Sequence, residues 1–170
     1  MNRSAPGRPL PPSPLVIGLG NEMRGDDSAG LCVVRQLQPL VGDRARIVEC
    51  PGGVAELLDL WDGRDCVYLV DAVRSGGTPG TWLRVSVGDQ PLPSSLATTS
   101  THGLSLASAV ALGQVLGRMP KRLVVYGLEA ARFAPGVELS PAVLDGVGQL
   151  TRALAEELDR AVRTPDASEE

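Results

Sequence analysis

Apolar residues in this chain fall into two patterns that alternate along its length. Leu15-Val16-Ile17-Gly18-Leu19, the stretch 66–70 and the stretch 121–126 are short runs with little polar interruption. Continuous apolarity of that length is expected of strands covered on both faces, as in a parallel sheet between helices. Between these runs the apolar spacing turns helical. The pattern predicts a helix over 27–38 stopped by Pro39, and a second around Val54, Leu57, Leu58 and Trp61. It predicts a third over 104–116 and a last one over 141–162, opened by Ser140 as N-cap and Pro141 at the first helical position. Residues 46–50 read as a further strand, broken by Pro51-Gly52-Gly53. In 81–87, Trp82, Arg84 and Ser86 alternate with Leu83, Val85 and Val87, which is the period of an edge strand. Strands alternating with helices predict a three-layer α/β/α domain.

Composition sharpens this picture. Aromatic residues are only 3% of a chain that is 43% hydrophobic, so the core must be built from Val, Leu, Ala and Ile. A length of 170 residues suits one domain. The proline-rich segment 1–14 lacks the apolar stretch of a secretory signal and is expected to be a disordered tail, as is the acidic end 164–170, leaving a working domain of 15–163. No apolar run is long enough to span a bilayer. The net charge of -4 and the scattered arginines point away from a nucleic-acid partner. Cys32, Cys50 and Cys66 have no C-x-x-C spacing and are expected to be free thiols in a reducing cytoplasm.

The turn after the first strand, Gly18-Leu19-Gly20-Asn21-Glu22-Met23-Arg24-Gly25-Asp26-Asp27-Ser28-Ala29-Gly30, has the glycines of a phosphate cradle and the wrong charge for one. Asp26 stands where a phosphate loop carries lysine, and the third glycine of the dinucleotide fingerprint falls on Met23. The turn is therefore expected to present a carboxylate, with Asp26 capping the helix beside it. Parallel α/β sheets collect ligands at the carboxyl ends of their strands. Asp27 follows the first strand, Asp71 closes the third, and His102, the single histidine, opens the helix before the last strand. Two carboxylates and an imidazole suit a divalent ion such as nickel, zinc or manganese with open positions, and the set does not choose among them. The plainer roles are helix capping for Asp27 and His102, and acceptance of loop N–H bonds for Asp71. No G-x-S-x-G or comparable nucleophile motif is present, so hydrolysis at such a site would use an activated water.

Gly18, Gly20, Asn21, Gly25, Asp26, Asp27 and Gly30 together resemble the opening turn of the nickel-iron hydrogenase maturation endopeptidases. The resemblance continues in order through Val70-Asp71-Ala72, Pro79-Gly80-Thr81, Thr99-Ser100-Thr101-His102-Gly103-Leu104 and Glu138-Leu139-Ser140-Pro141. It implies a mixed, mostly parallel five-stranded sheet of phosphorylase/hydrolase-like architecture, with 81–87 as the antiparallel strand. It also implies an aspartic-type or metal-dependent endopeptidase that removes the C-terminal extension of a hydrogenase large-subunit precursor after nickel insertion. Asp27, Asp71 and His102 would contact the nickel and carry catalysis. The nickel would belong to the substrate, with no cofactor permanently bound and other divalent ions binding in vitro. The partner would be the precursor, with no nucleic acid and no membrane insertion, and the protein would be a cytoplasmic monomer. Two departures from the family pattern flank this site: Val54 follows the Gly52-Gly53 pair where many members carry a hydroxyl residue, and Leu128-Glu129-Ala130 replaces a G-x-Q-P segment. Two other functions share parts of the pattern: a nickel-binding metallochaperone or sensor using the same three residues, and a peptidyl-tRNA hydrolase, which also opens on a G-L-G-N turn. The latter needs histidine and proline positions that this chain lacks.

Overall fold

The computed structural model describes residues 13–88, 92–93, 96, 106–136 and 138–163. Its strands are β1 (Leu15–Leu19), β2 (Arg46–Cys50), β3 (Cys66–Val73), β4 (Trp82–Val87) and β5 (Arg122–Glu129). They form one sheet in the order β2-β1-β3-β5-β4. β1 pairs in parallel with β2 and β3, and β3 pairs in parallel with β5. β4 runs antiparallel on the outer side of β5, where its alternating sequence had placed an edge strand. The helices among the described residues are α1 (Ala29–Val41), α2 (Val54–Trp61), α3 (Leu106–Leu116) and α4 (Pro141–Arg163).

The uninterrupted apolar runs explain the layering. Side chains alternate across a strand, so Val16, Tyr68, Val70, Val124 and Tyr126 face Val33, Leu37, Leu150 and Leu154 of α1 and α4. Leu15, Ile17, Val67, Leu69 and Val125 face Leu57, Trp61 and Ala109 of α2 and α3 on the other side. A sheet covered on both faces is the three-layer arrangement expected.

Several boundaries differ from the sequence reading. α1 does not begin at Asp27; a 3-10 turn over Gly25–Ser28 precedes it and the helix proper starts at Ala29. Nor does Pro39 stop it, since the helix continues to Val41. Pro39 and the residue four before it, Arg35, are both exposed, so the one carbonyl that Pro39 cannot serve faces water, while buried Leu37 and Val41 hold the last turn down. β3 runs past Asp71 to Val73, and β5 runs to Glu129, so Asp71 lies within its strand, in register with Gly127. The expected tails lie outside the described residues except for 13 and 14, and the Pro14 carbonyl already accepts the Arg46 N–H at 2.9 Å.

Candidate functional site

The glycines of the β1 turn set where its carboxylates stand. Gly20 has φ +143, and a Cβ there would lie 2.0 Å from the Asp27 carbonyl oxygen, so only glycine lets the turn close on itself. The Asn21 N–H donates to that same carbonyl at 3.3 Å, and the Asn21 side-chain oxygen accepts the Met23 N–H at 2.8 Å. Gly30 permits a second close approach: a Cβ would lie 2.3 Å from the Leu19 carbonyl oxygen and 2.4 Å from that of Val70. The start of α1 is thereby seated over the ends of β1 and β3, with Asp27 in the 3-10 turn immediately before it.

Asp26 and Asp27 then take different directions. Asp26 is fully buried and caps no helix, contrary to the role expected for it. Its carboxylate accepts the backbone N–H groups of Ala131 and Arg132, each at 2.9 Å, and that of Ser140 at 2.6 Å. The Ser140 hydroxyl donates to it at 2.9 Å. Four donors satisfy a buried carboxylate, so Asp26 fastens the β1 turn to the β5–α4 connection. Ser140 stands before Pro141 as expected, with its hydroxyl turned to Asp26.

Asp27 and Asp71 are both buried. Burial pushes the Asp71 carboxyl up to about 8, the negative charge of Asp27 pushes in the same direction, and a hydrogen bond with the Ala72 backbone opposes them. At neutral pH Asp71 is largely protonated. A cation seated against both carboxyls would replace that proton and remove their repulsion. Among the described residues no group of three or more His, Cys, Asp and Glu side chains is gathered for a metal ion, and His102 lies outside the described residues. The structure thus brings two of the three expected residues together.

Glu129, within the Leu128-Glu129-Ala130 departure from the family pattern, is a structural residue of the site that the sequence motifs do not mark. It is buried at the end of β5. One of its oxygens accepts the N–H groups of Ser75, Gly76 and Gly77 at 2.9, 3.0 and 3.1 Å, and the other accepts the Ser75 hydroxyl at 2.7 Å. Glu129 is thus the acceptor for the loop after β3, whereas the backbone partner of Asp71 is Ala72. The available signal was a carboxylate ending an apolar strand in a chain whose Ser75-Gly76-Gly77 loop exposes several amides needing an acceptor. On the opposite flank, Arg35 bridges Glu22 of the β1 turn and Glu49 of β2, the latter at 2.7 Å. Among the thiols, Cys50 is buried and pushed up to about 11, which makes it a poor nucleophile.

The family profile described as hydrogenase maturation protease matches residues 33–157. The chain belongs to the hydrogenase maturation protease family. The matched span of the protease contains Asp71 and His102, and Asp27 lies just upstream in the β1 turn. The protease is 30% identical over 135 residues to the hydrogenase 2 maturation protease of Escherichia coli K12, covering 76% of this chain and 80% of that one. It is 28% identical over 145 residues to the hydrogenase expression/formation protein HupD of Rhodobacter capsulatus, covering 84% and 68%. Its fold is similar to the hydrogenase maturating endopeptidase HybD from E. coli, with a TM-score of 0.73, 26% identity and coverage of 88% and 93%.

Proposed function

We propose that this protease removes the C-terminal extension of a nickel-iron hydrogenase large-subunit precursor, and that it reads the nickel already inserted there through Asp27, Asp71 and His102. The observation that carries the reading is the Asp27–Asp71 pair. Two buried carboxyls lie at the carboxyl edge of the sheet, close enough for the charge of Asp27 to add to burial in favouring the protonated form of Asp71, and a cation would relieve both effects. Membership of the family supplies the reaction class. The metal is a feature of the substrate, and the protein keeps no cofactor of its own.

In this reading the carboxylates and the imidazole hold the precursor by its metal, which fixes the nearby scissile peptide for attack by water. A carboxylate of the pair takes the proton from that water, or the metal polarises the peptide carbonyl. The rigid supports described above serve this positioning: Asp26 fixes the turn bearing Asp27, and Glu129 fixes the loop that follows Asp71. The enzyme acts in the cytoplasm as a monomer on that precursor.

The test is processing of purified precursor, loaded with nickel or metal-free, followed by intact-mass analysis. The loaded precursor should lose its extension, and the metal-free one should not. Asp71→Ala and His102→Ala proteins that fold normally should leave the loaded precursor uncut. Processing of both precursor forms at one rate would overturn the nickel reading, and normal cleavage by Asp71→Ala would overturn the site.

A further inference from the structure

Between the β3–β4 connection and the first two turns of α4 lies a cavity of about 420 Å³ that the reading above does not use. Its helical wall is Ala142, Asp145 and Gln149. That spacing of three and four is one stripe along the flank of the first turns of α4. Two glycines let the connection pack directly against the helix beside the cavity. A Cβ on Gly80 would stand 2.1 Å from the Ala142 carbonyl oxygen, and one on Gly146 would stand 2.3 Å from that of Gly80. The Gly80 N–H also donates to the Glu129 carbonyl at 2.8 Å, so the connection is held against both the sheet and the helix.

The sheet wall is Trp82, 36% exposed, with its ring tilted 59° against Tyr126 at a centroid distance of 5.8 Å. The indole is therefore held in place while part of it stays open. Asp145 is exposed and has no ion pair among the described residues. Arg84, two residues along β4 from Trp82, is already neutralised by hydrogen bonds to Glu157 at 3.0 and 2.8 Å. Among the residues lining the cavity, the charged one is Asp145. An aromatic face beside an uncompensated carboxylate attracts a cation, and a guanidinium satisfies both by stacking and by paired hydrogen bonds.

We propose that this cavity is a subsite for a cationic side chain, an arginine or lysine, of the peptide substrate. The source of that peptide rests on the peptidase reading above. The register supports a shared ligand: Trp82 is paired with Leu128, and Leu128 with Ala72, the residue after Asp71. Two inter-strand spacings of about 4.8 Å put the Trp82 backbone about 10 Å from that of Ala72. About three residues of extended chain span that in-sheet separation, and the passage from one face to the other adds to it. Asp71 faces the α2–α3 side and the cavity opens on the α4 side, so the peptide crosses the carboxyl edge of the sheet between them.

The experiment titrates the isotope-labelled full chain with Nα-acetyl-arginine N-methylamide and with its uncharged citrulline counterpart, followed by NMR. The arginine compound should shift the Trp82 indole signal and the amides of Asp145 and Gln149. The citrulline compound should not, and Asp145→Asn should weaken the arginine response at least fivefold. Equal responses to the two compounds, or an unchanged response in Asp145→Asn, would overturn the proposal. With precursor as substrate, Asp145→Asn and Trp82→Leu should raise KM at least fivefold with kcat within twofold. An unchanged KM in both variants of an active enzyme overturns the subsite. A wild-type chain that cuts no precursor overturns the peptidase reading instead, and the titration still decides the cavity.

Discussion

The Asp71 carboxyl lies close enough to Asp27 for the charge on Asp27 to raise its proton affinity, in addition to the larger effect of burial. Asp71 therefore takes up a proton on folding at a pH where the unfolded chain has already lost it. Because the folded state binds the extra proton, the metal-free protein loses stability as the pH rises from about 4 to about 8. Asp71→Asn should flatten that slope, being close to wild type at pH 4 and more stable by on the order of a few kcal/mol at pH 8. Urea unfolding across this range measures it, and parallel curves for the two proteins would contradict the assignment.

The same proton governs metal affinity. Nickel added to the isolated protein should bind weakly, with an affinity that climbs by up to about tenfold per pH unit until the pH passes about 8. Calorimetry in buffers of different ionisation enthalpy should count close to one proton released per ion bound near neutral pH. Asp71→Asn should bind no ion at these concentrations and release no proton.

Asp26 predicts a different outcome from its neighbour. Asp26→Ala strands the N–H groups of Ala131, Arg132 and Ser140 in a buried connection, and each lost bond to a charged group costs about 1.5–3 kcal/mol. The variant should be destabilised by several kcal/mol in denaturant unfolding. Asp27→Asn, which leaves those donors paired, should fold normally and fail only in processing.

Glu129→Ala should release the loop after β3 without dissolving the sheet. Hydrogen exchange at Ser75, Gly76 and Gly77 should accelerate at least tenfold, whereas Glu129→Gln, which keeps an acceptor oxygen in place, should retain part of the protection. Uniform acceleration across β3 and β5 would indicate global destabilisation instead.

The layering of this domain was legible because burial on both faces writes itself directly into the chain. Runs such as Leu15 to Leu19 allow no solvent-facing side, and the alternation from Trp82 to Val87 allows one. The positions misjudged are those where a distant partner decides. Pro39 reads as a stop locally, yet the packing of Leu37 and Val41 carries α1 through it. Asp26 looks like a cap from its neighbours, and its acceptors' partners lie at Ala131, Arg132 and Ser140. Glu129 passed as a family departure because its donors sit more than fifty residues away. Asp27, Asp71 and His102 are expected at one edge because the carboxyl ends of parallel strands gather there whatever the connecting helices do; the structure puts Asp71 within reach of the charge on Asp27, and His102 lies outside the described residues.

The bond from Ser140 to Asp26 spans 114 residues, and that separation bears on how the protein is made. At about 5–20 residues per second, a ribosome needs roughly 6–23 s to deliver Ser140 after Asp26 has emerged. For most of that interval the Asp26 carboxylate lacks all four of its native donors, since Ala131 and Arg132 precede Ser140 by only a few residues, and it is held by water. The turn bearing Asp27 therefore takes its final position only once the beginning of the last helix has been synthesised, so an unfinished chain is an incomplete protease.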